Sequence, residues 1–388
     1  MSGYAPSYDL ALRRDTPLAR KLIARIRRNG PIGVDDYMHA CLNDPEFGYY
    51  RTRSAIGRDG DFITAPEISQ VFGELIGLWC AVVWRQMGSP ARLNLIELGA
   101  GRGTLLADAL RAVRLVPAFR AAVSVHILDQ NPLLIAKQRT VLADFGVPVA
   151  WHDALEALPA DAPSIWVGNE FLDTQPVSQL VKHNGEWFSR LIDVDAAGQL
   201  TFAAPASKTS LEPGDDFFAV APNDSLPDGA LSEAQYGRVD VIHALRQRAS
   251  AAPLAALFID YGYVESAHID TLQAVRDHKS EHVLTSPGEA DLSCQVDFKA
   301  FASRASRVWT DKRSCFATDG PITQSEFLGR LGIMERASKL MAANPAKANA
   351  LEMGVARLMA PQGMGTRFLA LGVRSPGLPL LPGFEGRV

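Results

Sequence analysis

The sequence predicts an α/β protein built on a parallel, doubly wound sheet. Short apolar strands alternate with helices from residue 93 onward, and this alternation is typical of parallel sheets. A glycine-rich turn joins the first strand to its helix, and Asp129 ends the second strand. With 47% hydrophobic and 21% charged residues, the chain of 388 residues has the composition of a globular protein.

Composition also excludes some functions. A formal net charge of -4 argues against a nucleic-acid-binding protein that depends on bulk positive charge. No run of the sequence approaches the roughly 18 apolar residues that a membrane span needs. The cysteines lack metal-ligand spacing, and we expect buried thiols in a reducing compartment. They are Cys41, Cys80, Cys294 and Cys315.

The region before the sheet is predicted to be helical, with one long loop. Apolar residues recur at helical spacing between Leu18 and Ile26, and Gly30-Pro31 ends this helix. A loop rich in glycine, proline and aromatic residues follows over residues 44–67. Its length is typical of a functional segment, and we expect it to act as a lid. A second helix is expected over residues 68–87.

Five strands should alternate with helices, with a break in this alternation between the fourth and the fifth, and a final strand is expected near residues 368–373. The five are Leu93–Leu98, Val123–Leu128, Val147–Trp151, Ser164–Gly168 and Leu254–Ile259. The break predicts an antiparallel meander with strands over residues 179–182, 186–194 and 199–203 and a turn at Asn184-Gly185. We therefore expect four regions, namely residues 1–90 (N-terminal helices and lid), 91–178 (first part of the core), 179–253 (inserted meander and helix) and 254–388 (completion of the core and C-terminal helices).

The most specific local pattern is the turn after the first strand, Glu97-Leu98-Gly99-Ala100-Gly101-Arg102-Gly103. Glycines permit the tight turn and let a ligand approach the backbone. A dinucleotide site prefers G-x-G-x-x-G, whereas here the third glycine comes one position early and Glu97 would repel a pyrophosphate. The same acid suits the ammonium group of S-adenosylmethionine, and Asp129 could accept hydrogen bonds from ribose. A methyl donor is favoured; a dinucleotide and a purely structural turn are the alternatives.

Polar residues also follow the fourth strand. Ligands of open α/β sheets bind outside the carboxyl ends of the strands, so Asn169, Glu170 and Asp173 are placed for a substrate. Two carboxylates there could hold a guanidinium in bidentate fashion or orient another nucleophile. The alternative is that Asn169 or Asp173 caps a helix. His278 and His282 have the spacing of a metal pair on a helix but no evident third ligand, so we expect no metal site.

Several segments together resemble one family, the MidA-type methyltransferases, whose mitochondrial members assist assembly of respiratory complex I. The segments occur in the family's order over roughly residues 18–300. They are Gly30-Pro-Ile, Tyr37-Met38, Asp44–Tyr50, Gly60–Glu74, Glu97–Leu105, Asn169–Asp173, Asp260-Tyr-Gly262, Thr271-Leu272, Pro287-Gly288 and Asp297-Phe298. The stretch from Gly60 to Glu74 is far more specific than any glycine motif alone.

The resemblance implies a class I, Rossmann-like methyltransferase fold and S-adenosyl-L-methionine as the cofactor. Glu170 and Asp173 are the predicted catalytic residues, in a pocket completed by the loop around residues 60–67. The predicted cofactor-binding residues come from that loop, the glycine turn and the ends of the strands. They are Gly60, Asp61, Thr64, Pro66, Glu67, Glu97, Gly99, Ala100, Gly101, Gly103, Asp129, Gln130, Asp153 and Asn169.

The predicted function is S-adenosylmethionine-dependent methylation of arginine in a protein partner. The resemblance to the mitochondrial members implies a subunit of NADH dehydrogenase as the substrate. The alternatives are a non-catalytic assembly or binding protein that keeps the fold, and a dinucleotide oxidoreductase, which the glycine spacing disfavours. We expect a bacterial cytoplasmic protein rather than one of the mitochondrial matrix, because Asp9 and Asp15 interrupt the arginines of the N-terminal segment.

Overall fold

A computed structural model describes residues 12–52, 63–203, 226–234, 236–265, 270–307 and 316–385. Helices lie before, between and after the strands of this part of the chain. They are α1 (Pro17–Asn29), α2 (Val34–Asn43), α3 (Tyr49–Thr52), α4 (Ala65–Ile68), α5 (Gln70–Gln86), α6 (Thr104–Ala112), α7 (Pro117–Ala122), α8 (Pro132–Leu142), α9 (Tyr236–Ala249), α10 (Phe298–Ser306), α11 (Gln324–Arg330), α12 (Ile333–Ala343) and α13 (Ala348–Met359).

Within the described residues, the strands form one eight-stranded sheet and three three-stranded sheets. They are β1 (Ile32–Gly33), β2 (Leu93–Leu98), β3 (Val123–Leu128), β4 (Val149–His152), β5 (Ser164–Asn169), β6 (Ser178–His183), β7 (Glu186–Ser189), β8 (Leu191–Val194), β9 (Leu200–Phe202), β10 (Leu231–Ala234), β11 (Leu254–Tyr263), β12 (Gln273–Arg276), β13 (Lys279–Glu281), β14 (Asp291–Ser293), β15 (Val296–Asp297), β16 (Ala317–Thr323) and β17 (Phe368–Arg374).

The large sheet confirms the predicted parallel, doubly wound architecture. Its strand order is β16-β17-β11-β5-β2-β3-β4, with β15 paired to the end of β11. The five strands from β11 to β4 are parallel, and β17 and β16 add antiparallel strands at one edge. All five predicted strands are present; β4 begins two residues later than predicted, at Val149, and β11 extends to Tyr263. The carboxyl ends of β2, β3, β4 and β5 therefore meet at one edge.

Alternate residues of the central strands pack in two different hydrophobic cores. Leu95 and Leu257 belong to a cluster that includes α5 and α6. Their chain neighbours Ile96 and Phe258 belong to a second cluster with α9 and α10. Because side chains alternate along a strand, helices must cover both faces of the sheet. This burial on both faces explains why the strands are continuous apolar runs in the sequence.

The segment between β5 and β11 is antiparallel, as predicted, but it is not a single meander. The strand predicted over residues 186–194 breaks at Arg190, so that β7 pairs with β6 while β8 pairs with β9 and β1. The Arg190 guanidinium donates hydrogen bonds of 2.7 Å to Gln179 and to Asp270, and it lies 3.6 Å from the Phe202 ring centroid. These contacts turn the chain from one small sheet to the other.

The two histidines with metal-pair spacing do not lie on a helix. The chain around them forms the hairpin of β12 and β13, and its turn contains Asp277 and His278 with φ of +50° and +61°. His278 and His282 therefore lack the shared helical face that the i, i+4 spacing requires.

The thiols that the structure describes are buried, as predicted. Cys41, Cys80 and Cys294 are free, and burial raises the pKa of the Cys41 thiol to about 12. Cys315 lies outside the described residues. Among the helices described here, none combines the length and the apolar character needed to cross a membrane.

Candidate active site

The turn between β2 and α6 has the left-handed backbone that its glycines permit. The φ angle is +68° at Gly99, +53° at Gly101 and +82° at Gly103. A Cβ atom at Gly99 would lie 3.1 Å from Cδ2 of Phe171, so any side chain would press on the segment that follows β5. The turn therefore presents bare backbone at the carboxyl edge of the sheet.

A cavity of about 390 Å³ opens at this edge, next to a smaller pocket of about 40 Å³. The position and the size of the larger cavity agree with those of cofactor sites in α/β proteins. Predicted residues that line the larger cavity are Gly99, Gly101, Asp129, Gln130, Asp153 and Glu170. Those that line the smaller pocket are Thr64, Pro66, Glu67, Glu97, Gly99, Ala100, Gly101, Asn169 and Glu170. Gly103 lines neither cavity and is instead the N-cap residue of α6.

Two buried acceptors line the smaller pocket and lack donors. The Glu97 side chain is at the end of β2 and is 4% exposed, and Asn169 at the end of β5 is 9% exposed. Glu97 Oε2 and Asn169 Oδ1 have no hydrogen-bond partner within the described part of the chain. Burial, and to a lesser extent the charge of Asp129, raises the pKa of Glu97 to about 8. A cationic group with N–H donors would satisfy both oxygens.

The Asp129 carboxylate is fixed by neighbours on both of its oxygens. The backbone N–H of Asn131 donates to Oδ1 at 2.9 Å, and Gln138 Nε2 donates to Oδ2 at 2.6 Å. Burial raises the pKa of Asp129 despite these bonds. Gln138 Nε2 also donates to the carbonyl of Gly101 at 2.8 Å, and its Oε1 accepts from Trp151 Nε1 at 2.8 Å. One buried amide thus fixes Asp129 relative to the glycine turn.

The loops after β3 and β4 are joined to each other and to the N-terminal region. Gln130 Nε2 donates to the backbone carbonyl of Asp153 at 2.8 Å. Arg51, in α3, donates from Nη1 to the carbonyl of Gln130 at 2.6 Å. Gln130, Asp153 and Arg51 all line the larger cavity. The N-terminal helices therefore contribute to its wall.

Glu170 lies between the two cavities and lines both. Its φ of +52° is unusual for a residue with a side chain. Its Oε1 accepts the backbone N–H of Ala65 at 2.9 Å and Asn169 Nδ2 at 3.0 Å. Burial raises the pKa of Glu170 to about 7, against the lowering effect of these hydrogen bonds. This carboxyl therefore both anchors the start of α4 and faces the site.

Asp173 lies behind Glu170. It is 8% exposed and is not among the described residues that line either cavity. Burial, and then the charge of Glu170, raises the pKa of Asp173 to about 7, while the charge of Arg238 opposes the shift. Asp260, in β11, accepts the backbone N–H groups of Leu172 and Asp173 at 2.9 and 3.1 Å. These two hydrogen bonds to Asp260 in β11 therefore fix the backbone that follows Glu170.

The helix-capping alternative for this segment is wrong. Asn169 is the last residue of β5, a turn follows, and the next regular element is the strand β6. Neither Asn169 nor Asp173 therefore caps a helix. Arg238 fixes the turn, because its buried guanidinium donates to the carbonyl of Leu172 at 2.8 Å and to that of Cys294 at 2.9 Å.

The described end of the predicted lid contacts the glycine turn. Glu67 accepts a hydrogen bond from Thr104 Oγ1, and its other oxygen lies 3.6 Å from Arg102 Nη1. Glu67 does not cap the following helix, since Ser69 accepts the N–H of Val71 at 3.3 Å at the start of α5. Gly60 and Asp61 lie outside the described residues. Closure of residues 57–67 over a ligand stays a prediction.

Sequence reasoning missed Gln138, Tyr50 and Arg248. Gln138 is fully buried, Tyr50 lines the larger cavity and donates from its hydroxyl to Asp291 at 2.8 Å, and Arg248 contacts the loop after β4. Gln138 and Arg248 sit in helices, where a polar residue ordinarily indicates a solvated face. Most of their partners lie outside their own helices, so the pattern of each helix does not predict them.

The site defines a class of enzyme. Glu97, which precedes the glycine turn, disfavours a dinucleotide. Comparison with known proteins confirms that the chain is a methyltransferase. Residues 75–312 match the model of a family described as S-adenosyl-L-methionine-dependent methyltransferases, and the chain belongs to that family. S-adenosyl-L-methionine is accordingly its cofactor.

Named relatives agree with this assignment, and a solved structure agrees with the fold. The chain is 35% identical to the Drosophila melanogaster "Protein arginine methyltransferase NDUFAF7 homolog, mitochondrial", over 90% of this chain and 83% of the relative. It is 33% identical to the Homo sapiens "Protein arginine methyltransferase NDUFAF7, mitochondrial", over 91% and 82%. A Burkholderia thailandensis protein solved with bound S-adenosyl-homocysteine has the same fold, with a TM-score of 0.76, 24% identity and coverage of 96% of this chain and 93% of that one.

Replacing Gln138 tests the network around Asp129. Gln138→Leu leaves the Gly101 carbonyl, the Trp151 N–H and one Asp129 oxygen without their partner. We expect the free energy of unfolding, measured by urea denaturation, to fall by at least about 2 kcal/mol. Gln130→Leu is the matched control, because Gln130 is exposed and its partner can return to water; we expect a change below about 0.5 kcal/mol. Equal effects of the two variants would contradict the network.

Proposed function

We propose that this chain is an S-adenosylmethionine-dependent protein arginine N-methyltransferase. The observation that carries the proposal is the Glu170 carboxyl, which lines both cavities beside the glycine turn. Relatives at 33–35% identity are named protein arginine methyltransferases. A carboxylate in this position is suited to a guanidinium, from which it can accept a charge-assisted hydrogen bond.

The unpartnered acceptors support a specific placement of the cofactor. Glu97 Oε2 and Asn169 Oδ1 would accept hydrogen bonds from the ammonium group, and the bare backbone of Gly99 to Gly101 would allow close approach. Asp129 would accept from the ribose hydroxyls, and the loop containing Asp153 would enclose the adenine end. The cavity of about 390 Å³ is large enough for such an elongated ligand.

The remaining residues of this placement come from the turn, the lid and the loop after β3. Ala100 and Gln130 would line the site, and Thr64, Pro66 and Glu67 would close the smaller pocket. Gly103, which lines neither cavity, would contribute only by starting α6 after the turn. Gly60 and Asp61 belong to the same proposal through the family resemblance alone.

Glu170 is the proposed catalytic residue. When bound, S-adenosylmethionine supplies an electrophilic methyl group. Glu170 would hold the guanidinium so that one nitrogen is aligned with that group, and most of the rate enhancement would come from this positioning. An arginine side chain has a pKa above about 12, so the nitrogen that is methylated must lose a proton. The carboxylate form of Glu170 would accept it.

Asp173 would act through Glu170 rather than on the substrate. It is buried behind Glu170, and the charge of Glu170 raises the pKa of Asp173. With Asp260 it adds buried carboxyl groups whose raised pKa reflects the cost of ionising them. A cationic substrate would favour their ionised forms, and a neutral substrate would not.

The proposed protein partner rests on the family resemblance rather than on the cavity. We propose a subunit of NADH dehydrogenase as the substrate, since the family's mitochondrial members assist assembly of respiratory complex I, and the cytoplasm of a bacterium as the location. The buried free thiols of Cys41, Cys80 and Cys294 suit a reducing compartment. A non-catalytic assembly protein with the same fold would bind the cofactor and transfer no methyl group.

Protonation of Glu97 gives a test of cofactor placement. With a pKa of about 8, Glu97 is mostly protonated at pH 7 in the free protein, and a bound ammonium group would favour its ionised form. We expect binding of S-adenosylhomocysteine to release a proton at pH 7 and to strengthen as the pH rises toward 8. Glu97→Gln should bind about tenfold more weakly and release fewer protons.

Titration calorimetry in two buffers of different ionisation enthalpy measures this proton release. Glu170 and Asp173 can titrate in the same range, so the difference between the wild-type protein and Glu97→Gln isolates Glu97. The same number of protons released by both proteins would refute the placement of the ammonium group at Glu97.

Glu170→Gln tests the catalytic proposal. Glutamine keeps an oxygen for the Ala65 N–H but removes the charge. We expect methyl transfer to fall by roughly a hundredfold or more, with affinity for S-adenosylhomocysteine changed by less than about threefold. The rate is that of tritium transfer from labelled S-adenosylmethionine to protein in a lysate of cells lacking this gene. Asp173→Asn is the comparison, and we expect it to lower the rate of methyl transfer by less than about tenfold. Wild-type turnover by Glu170→Gln would show that its charge is not needed.

A further inference from the structure

Arg248, in the last turn of α9, is a buried cation that contacts backbone rather than the cavity itself. The residue is 4% exposed. Its Nη2 lies 2.6 Å from the carbonyl oxygen of Leu155, 3.2 Å from that of Glu156 and 2.8 Å from that of Leu158. Its Nη1 donates to the carbonyl of Ala244 at 3.0 Å. One guanidinium therefore binds three backbone carbonyl groups of the loop that follows β4.

That loop is a wall of the larger cavity. It follows β4, and four consecutive residues of it, from Asp153 to Glu156, line the cavity. Residues Leu155–Ala157 form a single 3-10 turn, which is closed by one hydrogen bond of 3.3 Å from the Leu158 N–H to the Leu155 carbonyl. Arg248 adds donors from outside the turn to the carbonyl groups of Leu155, Glu156 and Leu158. The shape of the wall therefore depends on a side chain that is remote from it in sequence.

We propose that Arg248 is a positioning residue for the adenine end of the methyl-donor site. It holds the loop of residues 153–158 in its enclosing shape before a ligand arrives, so that binding does not have to order the loop. The inference rests on the proposed placement of the cofactor, with its ammonium group at Glu97 and its adenine beside this loop.

Arg246 provides a matched control on the same helix. Its Nη2 lies 2.6 Å from the carbonyl oxygen of Arg304 and 3.2 Å from that of Arg307, at the end of α10. Neither of these residues is among those lining the two cavities. Arg246→Lys and Arg248→Lys therefore remove the same kind of contact, a guanidinium fork on backbone carbonyl groups, and both keep the charge.

The test compares two ligands that share the adenine end. S-adenosylhomocysteine carries the amino-acid part, and 5′-methylthioadenosine lacks it. We expect Arg248→Lys to weaken both ligands by a similar factor, about tenfold, in titration calorimetry. Arg246→Lys should bind both within about twofold of the wild-type protein. Glu97→Gln should weaken S-adenosylhomocysteine only.

Hydrogen exchange adds a local measurement. Amides of residues 153–158 should exchange faster in free Arg248→Lys than in the wild-type protein, and bound 5′-methylthioadenosine should restore their protection. If Arg248→Lys does not fold, Ala157→Gly loosens the same turn without disturbing a buried charge, and it should weaken both ligands in the same way.

Two results distinguish failure of the positioning role of Arg248 from failure of the proposed cofactor placement. Wild-type affinity of Arg248→Lys for both ligands, at a melting temperature lowered as much as that of Arg246→Lys, would show a purely structural role and overturn the inference. Failure of the wild-type protein to bind 5′-methylthioadenosine, with normal binding of S-adenosylhomocysteine, would instead refute the placement of the adenine end.

Discussion

Burial of acidic side chains at the carboxyl ends of parallel strands is the constraint on which this site depends. Glu97 lies in β2, Glu170 directly follows β5, and Asp260 lies in β11. Burial raises the pKa of all three. A buried carboxyl group without enough hydrogen-bond donors lowers the stability of the folded protein. A cationic ligand offsets that cost, because it returns to the carboxylates the donors that folding removed. The proposed preferences for a cofactor that carries an ammonium group and for a guanidinium substrate would have this common origin.

The surrounding chain holds these acids in place through its backbone. Gln138 joins Asp129 to the glycine turn, Arg238 fixes the turn after Glu170, and Arg248 fixes the loop after β4. The N-terminal region takes part as well, since the Ala65 N–H binds Glu170 and Arg51 binds the carbonyl of Gln130. The site is thus assembled from segments up to about 200 residues apart, although its acids come from neighbouring strands.

Much of this could be predicted from the sequence because the signals are local. The strands are apolar runs, the turn needs its glycines, and the residues after each strand must meet at one edge of a parallel sheet. The errors arose where a distant partner decides the local structure. Arg190 ends a predicted strand because it binds Gln179 and Asp270, and Asp173 precedes a strand instead of a helix. The role of Gln138 could not be predicted for a similar reason, since its three partners, Gly101, Asp129 and Trp151, lie outside its own helix.

The identity of the methylated residue tests the central claim most directly. Protein in a lysate of cells lacking this gene would be incubated with the purified chain and methyl-tritiated S-adenosylmethionine, then hydrolysed in acid and separated by chromatography. A Gly101→Val protein serves as the blank, because its side chain would fill the cavity next to the turn. We expect tritium to appear in methylated arginine with the wild-type chain and not with Gly101→Val. Tritium in methyllysine, or no tritium above the blank, would contradict it.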